Sequence, residues 1–179
     1  IDFEEYELFK SDDSNRVDSR NIYDFWNLKY SQIKDILNSS SIDPIVDLLG
    51  SKYFEKIQKN EKVLIGFSVA FFTQFGSMLN IAKGIKKLNP KAFIIVGGPT
   101  VRHVSRNFNK IPEIFNLIDC FCESEGEKVL TDLSNCIESE QNWQDISGII
   151  YKNSKGYIVK NDPTDFDINE DFPPELSLT

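Results

Sequence analysis

Three short segments of this sequence place small or polar residues at the ends of apolar runs. Ser68 ends one apolar run, Gly97-Gly98 ends a second, and Glu125-Gly126-Glu127 follows shortly after a third. A serine hydroxyl can hydrogen-bond a ligand, and adjacent glycines allow a ligand to approach the backbone closely. These segments are therefore candidates for binding a small molecule.

Each segment also has a purely structural explanation. Ser68 can be a small residue tolerated at a strand end, Gly97-Gly98 a tight turn, and the segment 124–127 a helix capping box. His103, the only histidine, lies just beyond the glycine pair and is either a general base or an ordinary surface histidine. The pair Asp12-Asp13 fits a solvated loop better than a metal pocket. The sequence has no Ser-His-Asp set, no Walker A loop and no G-x-G-x-x-G motif.

Apolar periodicity places the three segments at strand ends. Continuous apolar runs are typical of strands covered on both faces, and they predict strands at 63–68, 92–96 and 117–122. Apolar stripes at helical spacing begin near Phe75, Ser105 and Val129. This alternation predicts an α/β fold: a Rossmann-like or flavodoxin-like, doubly wound parallel sheet. In such sheets ligands bind beyond the carboxyl ends of the strands, near the point where strand order reverses.

The rest of the chain is predicted to flank an α/β core at 62–145. Residues 1–61 are expected to add a strand and a helical region to the same domain. Turn residues at 153–156 predict a β-hairpin over 146–160, and the acidic, proline-containing stretch 161–179 is typical of a linker to another domain.

Composition excludes several classes of protein. The 179 residues are 40% apolar and 27% charged, which fits a globular domain and not a collagen-like or disordered chain. A net charge of −8 argues against nucleic acid and anionic membrane as partners. No apolar run is long enough for a transmembrane helix. Because the chain begins at Ile1 and its one methionine is Met78, we expect it to be part of a longer protein.

The three cysteines, Cys120, Cys122 and Cys136, show no C-x-x-C spacing. Neither a disulfide scaffold nor a zinc site is indicated, and a reducing, cytoplasmic compartment is expected. Cys120 and Cys122 are predicted to face opposite sides of a strand, so that they could not jointly hold a cluster.

Several motifs gain weight when they are taken together. Ser68-Val69-Ala70 precedes Gly97-Gly98, with the segment 71–96 between them, and Ile118-Asp119 precedes Glu125-Gly126-Glu127. Further along lie Ile-Ser-Gly-Ile at 146–149 and Phe-Pro-Pro at 172–174. As a set, over residues 62–176, these motifs resemble the cobalamin-binding domain found in front of radical SAM catalytic domains.

The resemblance implies a cobalamin cofactor. Its cofactor-binding residues would be Ser68, Val69, Gly97, Gly98, Pro99, Glu125 and Gly126. By this resemblance Ser68 would hydrogen-bond the nucleotide tail of cobalamin, and the glycine pair would let that tail lie against the backbone. Glu125-Gly126 would line the crevice near the corrin edge.

The resemblance also implies a partner domain. The cobalamin domain would be non-catalytic, and a C-terminal radical SAM domain of the same parent chain would use a [4Fe-4S] cluster and S-adenosylmethionine, for example in methyl transfer. This sequence lacks the C-x-x-x-C-x-x-C motif that holds the cluster. It also has no histidine before Ser68, so the cobalt-ligating D-x-H-x-x-G motif is absent, and the strand and helix that open family members are not recognisable.

Other hypotheses remain open. A flavodoxin-like structural or protein-interaction domain without a cofactor would explain the absent histidine motif and the acidic surface. A signalling receiver domain fits less well, because Ser68 and Gly97-Gly98 occupy strand ends where its functional groups should lie. A flavin mononucleotide carrier would need a Ser/Thr/Gly-rich phosphate loop after an early strand, and none is present.

Overall fold

The computed structural model describes residues 30–39, 57 and 62–163. The region predicted at 1–61 is therefore described only in part, and the predicted linker only as far as residue 163. The remainder of both lies outside the described residues.

The described residues form a mixed sheet with helices on both faces. The strands are β1 (Leu64–Ser68), β2 (Phe93–Gly97), β3 (Cys120–Cys122), β4 (Ile149–Lys152) and β5 (Ile158–Lys160). The helices are α1 (Tyr30–Asn38), α2 (Phe72–Leu88), α3 (Pro99–Val104) and α4 (Gly126–Ser139), with two 3₁₀ segments at Ser105–Lys110 and Pro112–Asn116. The coarse expectation of an α/β domain is confirmed.

The strands lie in the sheet in the same order as in the chain. β1, β2 and β3 are parallel, and the register places Ser68 beside Gly97. β4 is antiparallel to β3, and β5 is antiparallel to β4, so the predicted hairpin is present. The parallel pairing predicted for the first three strands is confirmed, and the sheet as a whole is mixed because the predicted hairpin joins it in the opposite direction.

Two apolar layers cover the two faces of the sheet. On one face α2, α3 and the 3₁₀ segments pack against Ile94, Val96 and Phe121. On the other face α4 packs against residues that include Cys120 and Cys122. The prediction that these two cysteines face opposite sides is wrong, since residues two apart on a strand point to the same face. Both thiols are buried beneath α4 and are not in a disulfide.

Local structure departs from expectation after β2, where an apolar stripe predicts a helix beginning near Ser105. An α-helix already begins at Pro99, whose missing N–H costs nothing at a first helical position. The chain then continues as two 3₁₀ segments, because Pro112 has no N–H to continue an α-helix and Ile111 before it is not helical.

The expected capping box at 124–127 is also absent. α4 begins one residue later, with Glu125 as its N-cap and no side-chain cap hydrogen bond. The hydroxyl of Ser124 lies 3.6 Å from the sulfur of Cys122, so it contacts the strand and not the helix.

Candidate functional site: a crevice at the carboxyl ends of the strands

A crevice of about 740 Å³ opens where β1, β2 and β3 end. We call it the carboxyl-end crevice. Its lining comes from the strand ends, from α3 and from the first turn of α4, and it includes Gly66, Ser68, Gly97, Gly98, Pro99, Arg102, His103, Cys122, Glu125, Gly126, Glu127 and Leu130. The parallel strands cause this convergence, because their carboxyl ends meet at one edge of the sheet.

Six of the seven residues predicted to bind a cofactor line this crevice; Val69 does not. Its side chain is 2% exposed and belongs to the core. Its backbone holds the turn: the Val69 N–H donates to the Gly97 carbonyl at 2.8 Å, and the Val69 carbonyl accepts from Thr100 N–H at 3.2 Å. Val69 therefore positions the glycine pair beside β1.

The two adjacent glycines have different explanations. Gly98 has φ +100°, and a Cβ there would lie 2.6 Å from the Val69 carbonyl oxygen, so the turn itself requires glycine. A Cβ on Gly97 would meet nothing closer than the Cys122 Cβ at 3.6 Å, which is an ordinary contact. The fold therefore does not require glycine at position 97, whereas an open crevice floor does.

Ser68 is exposed at the end of β1. Among the described residues its hydroxyl has no hydrogen-bond partner, although serine hydroxyls near strand ends often bond to neighbouring backbone. The hydroxyl is thus available to a ligand in the crevice.

The acidic side chains of the crevice have unequal surroundings. Glu123 pairs with Lys160, and little of its side chain is exposed. Glu125 and Glu127 are exposed at the start of α4, and within the described part of the chain neither carboxylate forms an ion pair. They leave the mouth of the crevice with two carboxylates that can accept hydrogen bonds.

Two further residues of the crevice, Arg102 and Cys122, could not be recognised as site residues from the sequence pattern. Arg102, on α3, donates from Nε to the Glu123 carbonyl at 3.1 Å and so joins α3 to the end of β3. Cys122 forms part of the floor, where burial raises the pKa of its thiol while hydrogen bonding to Ser124 opposes that rise. A neutral thiol of this kind is a poor nucleophile.

His103 lines the crevice and lies beside Phe72, with 5.8 Å between the ring centroids. No carboxylate of the described residues is paired with its imidazole, so the orienting partner typical of a catalytic base is missing. In the described ranges no group of three or more His, Cys, Asp or Glu side chains could hold a metal ion.

Comparison with protein-family models, with curated proteins and with solved structures found no significant match to this chain. None of the described helices is both long and apolar enough to span a membrane.

Proposed function

We propose that this domain binds a cobalamin-type corrinoid at the carboxyl-end crevice. The observation that carries the proposal is the convergence of Ser68, Gly97-Gly98-Pro99 and Glu125-Gly126 on one crevice. The same segments carry the resemblance of this sequence to a cobalamin-binding domain.

The crevice suits part of such a ligand. Its volume of about 740 Å³ falls within the usual size of a small-molecule site, which is roughly 300–1,000 Å³. A whole cobalamin is larger, so the nucleotide tail would enter while the corrin ring lies across the mouth. Gly97 leaves the floor open, the Ser68 hydroxyl can bond the tail, and Glu125 can accept hydrogen bonds from corrin amides.

The finer fold assignment is part of the same proposal. Helices cover both faces of the sheet, as in a doubly wound, Rossmann-like domain, and the described residues supply no partner for the outer edge of β1. Two further parallel strands at that edge would complete the flavodoxin-like order, with the strand reversal beside Ser68.

The partner domain follows from the resemblance. We propose that the corrinoid is presented to a radical SAM domain of the same parent protein, in the reducing cytoplasm, where the cluster and S-adenosylmethionine belong. The bound cobalt would supply a carrier for a methyl group. This chain's own residues would bind the corrinoid and orient it.

Titration with hydroxocobalamin tests the proposal, with binding followed by calorimetry and by the visible spectrum. We expect saturable binding that weakens more than ten-fold in Ser68→Trp, because an indole at the end of β1 would fill the crevice. Ser154→Trp is the matched control, since Ser154 is exposed in the hairpin turn, away from the crevice. Circular dichroism checks that both variants fold.

Two outcomes would reject the proposal. Equal binding to the wild type and Ser68→Trp would place the ligand elsewhere. Absence of binding to the folded wild-type chain would favour the alternative of a structural or interaction domain.

A further inference from the structure

Acidic side chains outnumber basic ones in the lining of the carboxyl-end crevice. Its basic side chains are Arg102 and His103, both on the last turn of α3. Its acidic side chains are Glu123, Glu125 and Glu127, of which Glu123 is neutralised by Lys160. The crevice is therefore lined by one arginine and by two carboxylates that form no ion pair within the described residues.

The backbone around Arg102 is held firmly. Its neighbours Val101 and Val104 are buried, at 0% and 3% exposure, and fix α3 on the sheet. The Nε–Glu123 hydrogen bond limits the side chain further. Within the described ranges its two terminal nitrogens have no partner, so the guanidinium keeps free N–H groups beside the crevice. A guanidinium presented in this way binds a phosphate oxygen pair better than an ammonium does, because its donors lie in one plane.

Resting on the proposed function, we propose that Arg102 anchors the phosphodiester of the nucleotide loop, and that Glu125 and Glu127 restrict the crevice to ligands with a single, singly charged anionic group. Cobalamin carries one phosphodiester and several neutral primary amides. The amides can donate to the two carboxylates. Ligands with two or more negative charges, such as flavin mononucleotide or a nucleoside diphosphate, would be repelled by them.

Three variants test the anchor with cyanocobalamin as the ligand. Arg102→Gln removes the charge, Arg102→Lys keeps it but loses the planar donor pair, and Arg106→Gln is a matched control on an exposed arginine outside the crevice. We expect Arg102→Gln to weaken binding about ten-fold or more, as for a lost hydrogen bond to a charged group. Arg102→Lys should recover part of that loss, and Arg106→Gln should leave the affinity unchanged.

Two further readouts separate a phosphodiester contact from a structural role. Dicyanocobinamide lacks the nucleotide, the ribose and the phosphodiester, so it should bind Arg102→Gln as well as the wild type. Raising the ionic strength should weaken cyanocobalamin binding to the wild type more than to Arg102→Gln. If dicyanocobinamide binds the wild type too weakly to measure, the salt dependence of cyanocobalamin binding to the wild type and to Arg102→Gln shows whether Arg102 contacts the phosphodiester.

The inference and the proposed function fail in different ways. If the wild type binds cyanocobalamin and Arg102→Gln binds it equally well, the anchor is wrong and the proposed function stands. Equal losses for both corrinoids, or an unchanged salt dependence, would mean that Arg102 acts only through Glu123. If the wild type binds neither corrinoid, the proposed function and the anchor both fall. The double variant Glu125→Gln/Glu127→Gln tests separately whether the two carboxylates exclude ligands with more than one negative charge. We expect it to bind flavin mononucleotide more tightly than the wild type does. An unchanged preference for cyanocobalamin over flavin mononucleotide would overturn this part of the proposal.

Discussion

The two ends of the parallel strands contrast in how their polar groups are used. At the amino end, Asp119 accepts from the Ile94 N–H at 2.7 Å and from the Lys86 ammonium at 2.8 Å. The same ammonium donates to the Ala92 carbonyl at 2.6 Å. At the carboxyl end, the Ser68 hydroxyl has no such bond among the described residues.

The difference separates residues that hold the fold from residues that are available to a ligand. The Lys86–Asp119 pair joins α2, β2 and the start of β3, so it stabilises the arrangement of the strands. It also gives Asp119, one of the residues in the cobalamin-domain resemblance, a structural role remote from the crevice. The Ser68 hydroxyl at the carboxyl end makes no such contact within the described residues, so we expect that it can change without unfolding the domain.

Gly98→Ala is expected to lower the free energy of unfolding more than any other substitution considered for this sheet. The substitution forces an L residue into φ +100° and brings a Cβ against the Val69 backbone. We expect the free energy of unfolding to fall by about 3 kcal/mol or more, measured by urea denaturation. Gly126→Ala is the control, because a Cβ there meets nothing within 4 Å and alanine at the first position of α4 should not lower stability. Equal stability of the two variants would contradict the structural role of Gly98.

Asp119→Ala, at the amino end of the strands, should cause the next largest loss of stability. It leaves the Ile94 N–H and the Lys86 ammonium without their acceptor, and both members of the ion pair are partly buried. We expect a loss of about 2 kcal/mol in urea denaturation. Asp132→Ala removes an exposed i,i+4 partner of Lys128 and should cost about 0.3–0.5 kcal/mol. If the two losses are similar, the amino-end network does not stabilise the strands as described.

The parallel strands and their ends could be predicted from the sequence, because continuous apolar runs mark them, whereas the pairing of Lys86 with Asp119 could not. The failures arose where tertiary contacts decided the outcome. Ser124 did not cap α4, because its hydroxyl lies against Cys122. The direction of β4 depends on how the chain returns from α4, which no local pattern encodes. Arg102 was missed because an arginine on a six-residue helix carries no sequence signal of the crevice beside it.

The buried thiols predict a dependence of stability on pH. Burial, with a smaller contribution from the charge of Asp119, raises the pKa of Cys120 well above its usual value. The folded state therefore keeps this proton at pH values where the unfolded chain, with a thiol pKa near 8.5, loses it. Stability should be unaffected by this thiol below about pH 8.5 and should fall above it, by roughly 1 kcal/mol per pH unit.

Urea denaturation from pH 7 to pH 10 measures this loss. Cys120→Ala should show a shallower decline over the same range, whatever its stability at pH 7. Lys83, whose pKa is lowered by desolvation, contributes in the opposite direction in both proteins and so cancels in the comparison. Parallel curves would mean that Cys120 is not the group that titrates.

The smallest effect on the free energy of unfolding is expected for Ser68→Ala. A small effect would support the assignment of the Ser68 hydroxyl to a ligand and not to the fold. An exposed hydroxyl with no bond in the described residues has little to lose on removal, so the free energy of unfolding should change by less than about 0.5 kcal/mol. Hydroxocobalamin binding should weaken nonetheless, because the hydroxyl is assigned to the nucleotide tail. Asp119→Ala should give the reverse pattern, with lower stability and, at temperatures where it is folded, unchanged affinity. A Ser68→Ala variant that lost stability would place Ser68 among the structural residues and remove the contrast between the two ends of the sheet.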